Sequence, residues 1–192
     1  MYGFEISMEL VGVSVKTIRQ VQIPSQITFK RLHEIISLVF NMEDEISYSF
    51  SFEDYDLIIK ETGSLNRDTI DAKYELIDKY FEAFHIVTYH NDFWKIKLTV
   101  DKNQYDKKYP RLLSIRGWYN PGKDIKSVDD FSRLLEMKKN KDCSENSEMS
   151  QLKRVNSLNI QEEFMSLLDI PYKIVNRKVI EIEYDITLDS YL

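Results

Sequence analysis

The chain has 192 residues, of which 43% are hydrophobic and 12% aromatic, and its formal net charge is −6. This composition is typical of one globular domain with a sizeable core, and the five glycines and four prolines exclude collagen-like and low-complexity classes. The net charge argues against general nucleic-acid binding but is compatible with a local basic face. Cys143 is the only cysteine, which excludes an intrachain disulfide and a cysteine zinc cluster. No apolar run approaches the roughly 20 residues of a membrane helix, and the first residues are not a secretory signal. We therefore expect a cytoplasmic protein with no membrane partner and no cofactor.

Two strands and a helix are predicted at the start of the chain. Apolar residues alternate with polar ones over residues 2–13, which indicates a half-buried strand, and residues 15–23 form its partner in an antiparallel hairpin. Thr28 caps a helix over residues 28–41, whose broad apolar stripe requires a sheet to pack against. His33 lies off the centre of this stripe, near the sheet edge, where we expect it to make a structural hydrogen bond.

The middle of the chain predicts further strands. Residues 46–52 alternate aromatic residues with serines, and residues 54–60 form another short strand. Weak helical periodicity predicts a short helix over residues 68–81. Residues 85–90 and 92–100 are predicted to pair, and the second of these strands has one apolar face and one mostly solvated face.

The remaining elements divide the chain into three parts. A polar loop over residues 102–110 precedes a strand over 112–118, and Ser127 caps a helix over 128–138. We expect one domain over residues 1–137, a polar linker or loop over 138–157, and a C-terminal segment over 158–192 that packs on the main domain. That last segment contains helical spacing at 158–168 and a strand pair at 172–187.

Several stretches resemble one known family. The run IRQVQIPSQITFKRLHEIISLVFNM, with its arginine, its Ile-Pro and its Leu-His pair, resembles the start of the plasmid pRiA4b ORF-3-like family, which includes transposon passenger proteins of a "TnpR" type. IVTYHNDFWKIKLTV and YPRLLSIRGWYNPGKDIKSVDDFSRLLE follow in the family's order, so the resemblance spans residues 4–137. It implies an α+β fold with a mixed, mainly antiparallel sheet and packed helices. It also implies an association with mobile DNA, in a bacterium or a phage, and assigns no reaction.

The chain departs from the family pattern at two turns. The turn at residues 90–94 lacks the family's glycine, and Asn120, Pro121 and Gly122 precede a lysine where the family has carboxylates. His90, Asp92 and Asp124 offer imidazole and carboxylate groups that suit a divalent metal. They provide an alternative hypothesis, a degenerate metal-dependent enzyme acting on nucleic acid. Capping of the turn by the aspartates is the simpler interpretation of the same residues.

A basic and aromatic region is the strongest surface candidate. Residues 95–126 contain nine lysines and arginines against three carboxylates, with tyrosines and a tryptophan interleaved. Such a region could contact phosphates and stack bases, or dock an acidic protein surface, including the acidic edge at residues 43–61 of another copy. It is equally compatible with a solvated loop that has no specific role.

We therefore predict a non-enzymatic binding or adaptor protein associated with mobile genetic elements, whose partner is a protein or nucleoprotein. Direct nucleic-acid binding and homo-oligomers are the alternatives for the partner, and no phosphate loop or nucleophile motif supports catalysis. The predicted binding residues belong to the basic and aromatic region at residues 95–126: Lys95, Lys97, Tyr105, Lys107, Lys108, Tyr109, Arg111, Arg116, Trp118 and Tyr119.

Overall fold

The computed structural model describes residues 2–42, 47–53, 55–61, 69–117 and 127–141. These residues form eight strands and three helices. In chain order they are β1 (Tyr2–Leu10), β2 (Ile18–Pro24), α1 (Phe29–Phe40), β3 (Tyr48–Phe52), β4 (Tyr55–Lys60), β5 (Thr69–Asp71), α2 (Asp78–Ala83), β6 (Ile86–Asn91), β7 (Lys95–Gln104), β8 (Arg111–Arg116) and α3 (Val128–Lys141). No helix among the described residues is long and apolar enough to cross a bilayer.

The strands form one sheet in the order β5-β4-β3-β6-β7-β1-β2-β8. Every described pair is antiparallel except β4 with β5, which is parallel. The predicted α+β class with a mixed, mainly antiparallel sheet is therefore confirmed. The two longest strands, β1 and β7, lie next to each other near the middle, so the most extensive pairing joins the start of the chain to its later half.

The local signals at the start of the chain are confirmed. β1 and β2 form the antiparallel hairpin, and the Thr28 hydroxyl accepts a hydrogen bond from the Arg31 amide at 3.3 Å, as an N-cap residue does. The helix α1 ends at Asn41, whose left-handed backbone (φ 54°) lets its amide reach carbonyls of the last turn. These caps set where α1 begins and ends, and its apolar stripe then packs on the sheet.

The core lies between one face of the sheet and the helices. Alternate residues of the central strands are fully buried there, together with the apolar stripe of α1 and Phe131 of α3. Phe29 is the centre of an aromatic cluster, with ring centroids between 5.0 and 6.2 Å from those of Phe50, Phe52, Tyr80 and Phe81. Aromatic packing of this kind adds to the gain from burial and joins α1 and α2 to β3 on this face.

The predicted helix over residues 68–81 is wrong for most of its length. Residues 69–71 form β5, a turn follows, and the helix α2 covers only Asp78–Ala83. Hydrogen bonds from the start of α1 stabilise this turn: the amides of Phe29 and Lys30 donate to the carbonyls of Glu75 and Ala72. These bonds satisfy early α1 amides that have no partner within the helix, and they outweigh a weak local helical preference. The predicted loop at residues 102–110 is also shorter, since β7 continues to Gln104.

Arg19, the arginine of the run IRQVQIP, is fully buried. Arg19 of β2 donates from Nε to the Val39 carbonyl at 2.9 Å, and from Nη1 to the carbonyls of Ile18 and Arg116 at 2.9 and 3.0 Å. Its guanidinium lies 5.0 Å from the ring centroid of Phe40. The side chain thus joins β2 and β8 to the C-terminal turn of α1, where the helix dipole favours a cation.

The predicted linker begins at residue 138, within α3, which continues through Lys141. The rest of the linker, the boundary at 157, the helix at residues 158–168 and the strand pair at 172–187 lie outside the described residues. Packing of the C-terminal segment on the main domain stays a prediction.

Candidate binding surface on the open face of the sheet

The sheet has a second face, opposite the helices, which we call the outer face. On it, residues of β1, β2, β3, β6 and β7 that alternate with the core residues are half-buried or exposed. Most of them are polar, including serines, threonines, glutamines and charged residues. Because strands alternate the direction of their side chains, each buried core residue is followed by a residue on this face. The strand register therefore sets which residues are neighbours on the outer face.

A row of polar residues crosses four strands of the outer face. Lys95 of β7 lies directly opposite His90 of β6, His90 lies opposite Ser49 of β3, and Ser49 lies opposite Lys60 of β4. We call Lys60, Ser49, His90 and Lys95 the cationic row. Neighbouring strands lie about 4.8 Å apart, so the two lysines are separated by about 14 Å along this row. That distance exceeds the Debye length of about 8 Å at physiological salt, so the two ammonium groups repel each other weakly.

The charges of the cationic row are not neutralised by described neighbours. None of the ion pairs among the described residues involves Lys60, Lys95 or Lys97. Lys97 lies opposite Glu9 across β1 and β7, but the Glu9 carboxylate pairs with Lys16 at 3.6 Å. The row is thus a basic strip on an otherwise mixed surface, and an acidic group could approach it without displacing a described ion pair.

His90 gives the row a titratable group between the two lysines. Partial burial lowers the pKa of the His90 imidazole below its ordinary value, and the nearby Lys95 ammonium lowers this pKa further. Both effects disfavour the imidazolium form. At neutral pH His90 is therefore a neutral donor and acceptor between two lysines.

The other predicted binding residues fall in different places. Lys97 and Arg116 lie in the next row of the outer face. In this row Lys97 pairs with Glu9, Glu9 with Ile18, and Ile18 with Arg116. Arg111 lies at the start of β8, opposite Gln22. Lys107 and Lys108 are exposed in the loop before β8. The structure therefore spreads the predicted basic region over the sheet and a loop. Of the predicted binding residues only Lys95 falls in the cationic row, next to His90 of the alternative metal site.

The predicted aromatic residues do not form an exposed stacking surface among the described residues. Tyr105 is buried, and its hydroxyl donates to the Tyr109 carbonyl at 2.6 Å. A Cβ at Gly3 would lie 2.9 Å from the Tyr105 Cβ, so the base of this side chain lies close to the glycine of β1. Tyr109 itself is half-buried, and Trp118 and Tyr119 lie outside the described residues.

The residues of the alternative metal site are not brought together by the described structure. Asn91 accepts hydrogen bonds from the amides of Phe93 and Trp94 at 3.1 and 2.7 Å, so it organises the turn between β6 and β7. Asp92 is exposed in that turn, and Asp124 lies outside the described residues. The described residues contain no group of three or more metal-ligating side chains.

Sequence reasoning missed Lys60 and Ser49, which complete the cationic row. They belong to the segment that the sequence marks as acidic, where seven carboxylates accompany a single lysine. The available signal was the alternation in residues 46–52, which predicts that Ser49 lies on the face of the strand away from the buried aromatic residues. Only the pairing of β3 with both β4 and β6 brings Lys60 to the same row as Lys95.

His33 is a buried residue of α1, on the side of the helix that packs on the sheet. Its Nδ1 lies 2.9 Å from the Tyr89 hydroxyl, and its ring stacks on Tyr48 with a centroid distance of 3.7 Å. The Tyr48 hydroxyl donates to Glu61 at 3.4 Å, and burial together with this carboxylate raises the pKa of Tyr48. The expected hydrogen bond is confirmed. The expected position near the sheet edge is wrong, because β3 and β6 lie inside the sheet.

Comparisons with known proteins support the fold and the family. The model of the family described as plasmid pRiA4b ORF-3-like protein matches residues 2–164. A solved structure, that of the protein of unknown function MM3350 from Methanosarcina mazei Go1, is similar with a TM-score of 0.64 at 20% identity. The similarity covers 80% of this chain and 87% of that chain. No curated protein matches this chain.

Proposed function

The chain belongs to the plasmid pRiA4b ORF-3-like family, and we propose that it is a non-enzymatic binding or adaptor protein whose outer sheet face docks an acidic protein surface. The plasmid in the family's description supports an association with mobile genetic elements. The observation that carries the proposal is the cationic row, in which Lys60 and Lys95 flank His90 without a described carboxylate as partner.

Charge complementarity defines the partner. An acidic segment that lies across β7, β6, β3 and β4 would place carboxylates near both lysines, while Ser49 and neutral His90 offer hydrogen bonds between them. Carboxylates bound to lysine in this way fix orientation and increase the rate of association. The partner that fits this chemistry is an acidic region of a protein, either alone or within a nucleoprotein complex.

The experiment is a capture from the native host lysate with a tagged full-length chain, with and without nuclease. We expect a stoichiometric protein partner that survives nuclease and is lost with the double variant Lys60→Glu/Lys95→Glu. The matched control is Lys73→Glu/Lys79→Glu, which makes the same charge change at two exposed lysines outside both the row and the predicted basic region, and it should retain the partner.

Three results would contradict the proposal. A partner that both double variants retain would show that the cationic row is not the binding site. A partner that nuclease removes would favour direct nucleic-acid binding, and its salt dependence would then give the number of phosphate contacts. Recovery of a second copy of the chain alone would favour a structural oligomer.

A further inference from the structure

The side chain of Asn91 closes the turn between β6 and β7. Its Oδ1 atom accepts hydrogen bonds from the amides of Phe93 and Trp94 at 3.1 and 2.7 Å. The Asn91 amide donates to the Trp94 carbonyl at 3.0 Å. Asparagine side chains stabilise turns in this way because they mimic the backbone groups of a turn. One side chain therefore fixes the path of the chain from the end of β6 to the start of β7.

Two contacts fix the position of this turn relative to the helices. The Asn91 Nδ2 group donates to Sδ of Met42, just after the end of α1, at 3.7 Å. The buried Trp94 ring packs edge-to-face on Phe131 of α3, with ring centroids 5.7 Å apart. Aromatic pairs of this geometry stabilise a contact beyond the gain from burial. The turn is thus closed by its own hydrogen bonds and held in place by residues of two other elements.

The turn decides which residues of β6 and β7 face each other. Because Asn91 and Trp94 share a backbone hydrogen bond, the next pair along the ladder, His90 and Lys95, is of the type without one. The Cα atoms of such a pair lie about 4.5 Å apart, closer than in the hydrogen-bonded type. A slip of β7 by one residue would turn Lys95 to the helix-bearing face and Trp94 to the outer face. The position of Lys95 in the cationic row therefore depends on the closed turn.

We propose that Asn91 is a positioning residue of the cationic row, whose side-chain oxygen holds Lys95 opposite His90 where an acidic partner binds. The part of this inference that concerns the partner rests on the proposed function. Asn91 continues the alternation of the buried Val87 and Tyr89, so its own side chain lies on the helix-bearing side of the strand. It affects binding only through the position of Lys95.

Nuclear magnetic resonance of the full-length chain tests the geometric part without a partner. We expect a strong contact between the Hα atoms of His90 and Lys95 in the wild type and in Asn91→Ser, which keeps a neutral oxygen acceptor. Asn91→Leu keeps the volume without an acceptor and should weaken this contact at least about twofold. Asn91→Ala serves the same purpose if Asn91→Leu does not fold. The Hα contact between Ser7 and Gln20, which face each other across β1 and β2, shows in every variant that the rest of the sheet has folded.

Titration of a polyglutamate peptide into the same samples at low salt tests the binding part. Its carboxylates represent the acidic surface of the partner. We expect the amide signals of the cationic row to shift in the wild type and in Asn91→Ser. The affinity for the peptide should be at least about fivefold lower in Asn91→Leu. All the Asn91 variants are neutral, so a difference between them does not come from added charge.

Three results would overturn this inference. The first is an unchanged contact between His90 and Lys95 in Asn91→Leu. The second is an equal loss in Asn91→Leu and Asn91→Ser, which would assign the effect to the volume of the side chain rather than to its acceptor. The third is a weakened contact with unchanged affinity for the peptide. A wild type in which polyglutamate shifts no signal of the cationic row would overturn the proposed docking of an acidic surface, while the Hα contacts would still decide whether Asn91 positions Lys95.

Discussion

The buried Arg19 gives the most demanding test of how this fold is stabilised. The substitution Arg19→Met removes the guanidinium and keeps an unbranched apolar side chain of similar length. The carbonyls of Val39, Ile18 and Arg116 then lose a donor. A hydrogen bond to a charged group contributes about 1.5–3 kcal/mol, but the variant also avoids the cost of burying a charge. Because the Arg19–Val39 bond is the fully buried one, we expect the free energy of unfolding to fall by about 2–4 kcal/mol.

Urea titration followed by circular dichroism measures this free energy, and a thermal scan should show a melting temperature lower by about 10 °C. Arg19→Lys should recover only part of the loss, since an ammonium group cannot reach all the acceptors with the geometry of a guanidinium. Arg111→Met is the control, because Arg111 is exposed on the same sheet. An Arg19→Met variant within about 0.5 kcal/mol of wild type would refute the view that this arginine joins α1 to the sheet.

Three further predictions concern Gly3 of β1 and Tyr89 and His90 of β6. Gly3→Ala places a Cβ 2.3 Å from a backbone carbonyl of β2, so its unfolding free energy in urea should fall by about 1–3 kcal/mol, and an unchanged midpoint would contradict this packing. Tyr89→Phe removes the hydroxyl 2.9 Å from His33 Nδ1 and should cost about 1–2 kcal/mol in the same assay, whereas equal stability would count against a structural hydrogen bond. Proton NMR should find the pKa of His90 below its ordinary value and higher in Lys95→Gln. Between the pKa of His90 in the unfolded chain and its lower pKa in the folded chain, the unfolded chain binds more protons. His90 therefore lowers the free energy of unfolding as the pH falls through this window. An ordinary pKa of His90 in the wild type would contradict the described environment.

The sequence by itself determined the elements whose signals are local. The alternation in β1 and β7 predicts which side chains are buried, because a strand reverses the direction of its side chains at every residue. The hydroxyl of Thr28 and the stripe that follows it predict α1, since capping and helical periodicity depend only on neighbours in the chain. The family resemblance rests on the same stretches, and the match over residues 2–164 confirms it.

Only the tertiary structure decided what depends on pairing between distant segments. Lys60 and Lys95 share one row because β3 pairs with both β4 and β6, and no local pattern contains that information. Arg19 reads as an ordinary polar residue in a strand until the end of α1 lies above it. Residues 69–71 prefer a strand over the predicted helix because β4 offers a parallel partner, and α1 holds the turn that follows. Register and packing bring these groups together, and the energy they gain exceeds the preferences of the local sequence.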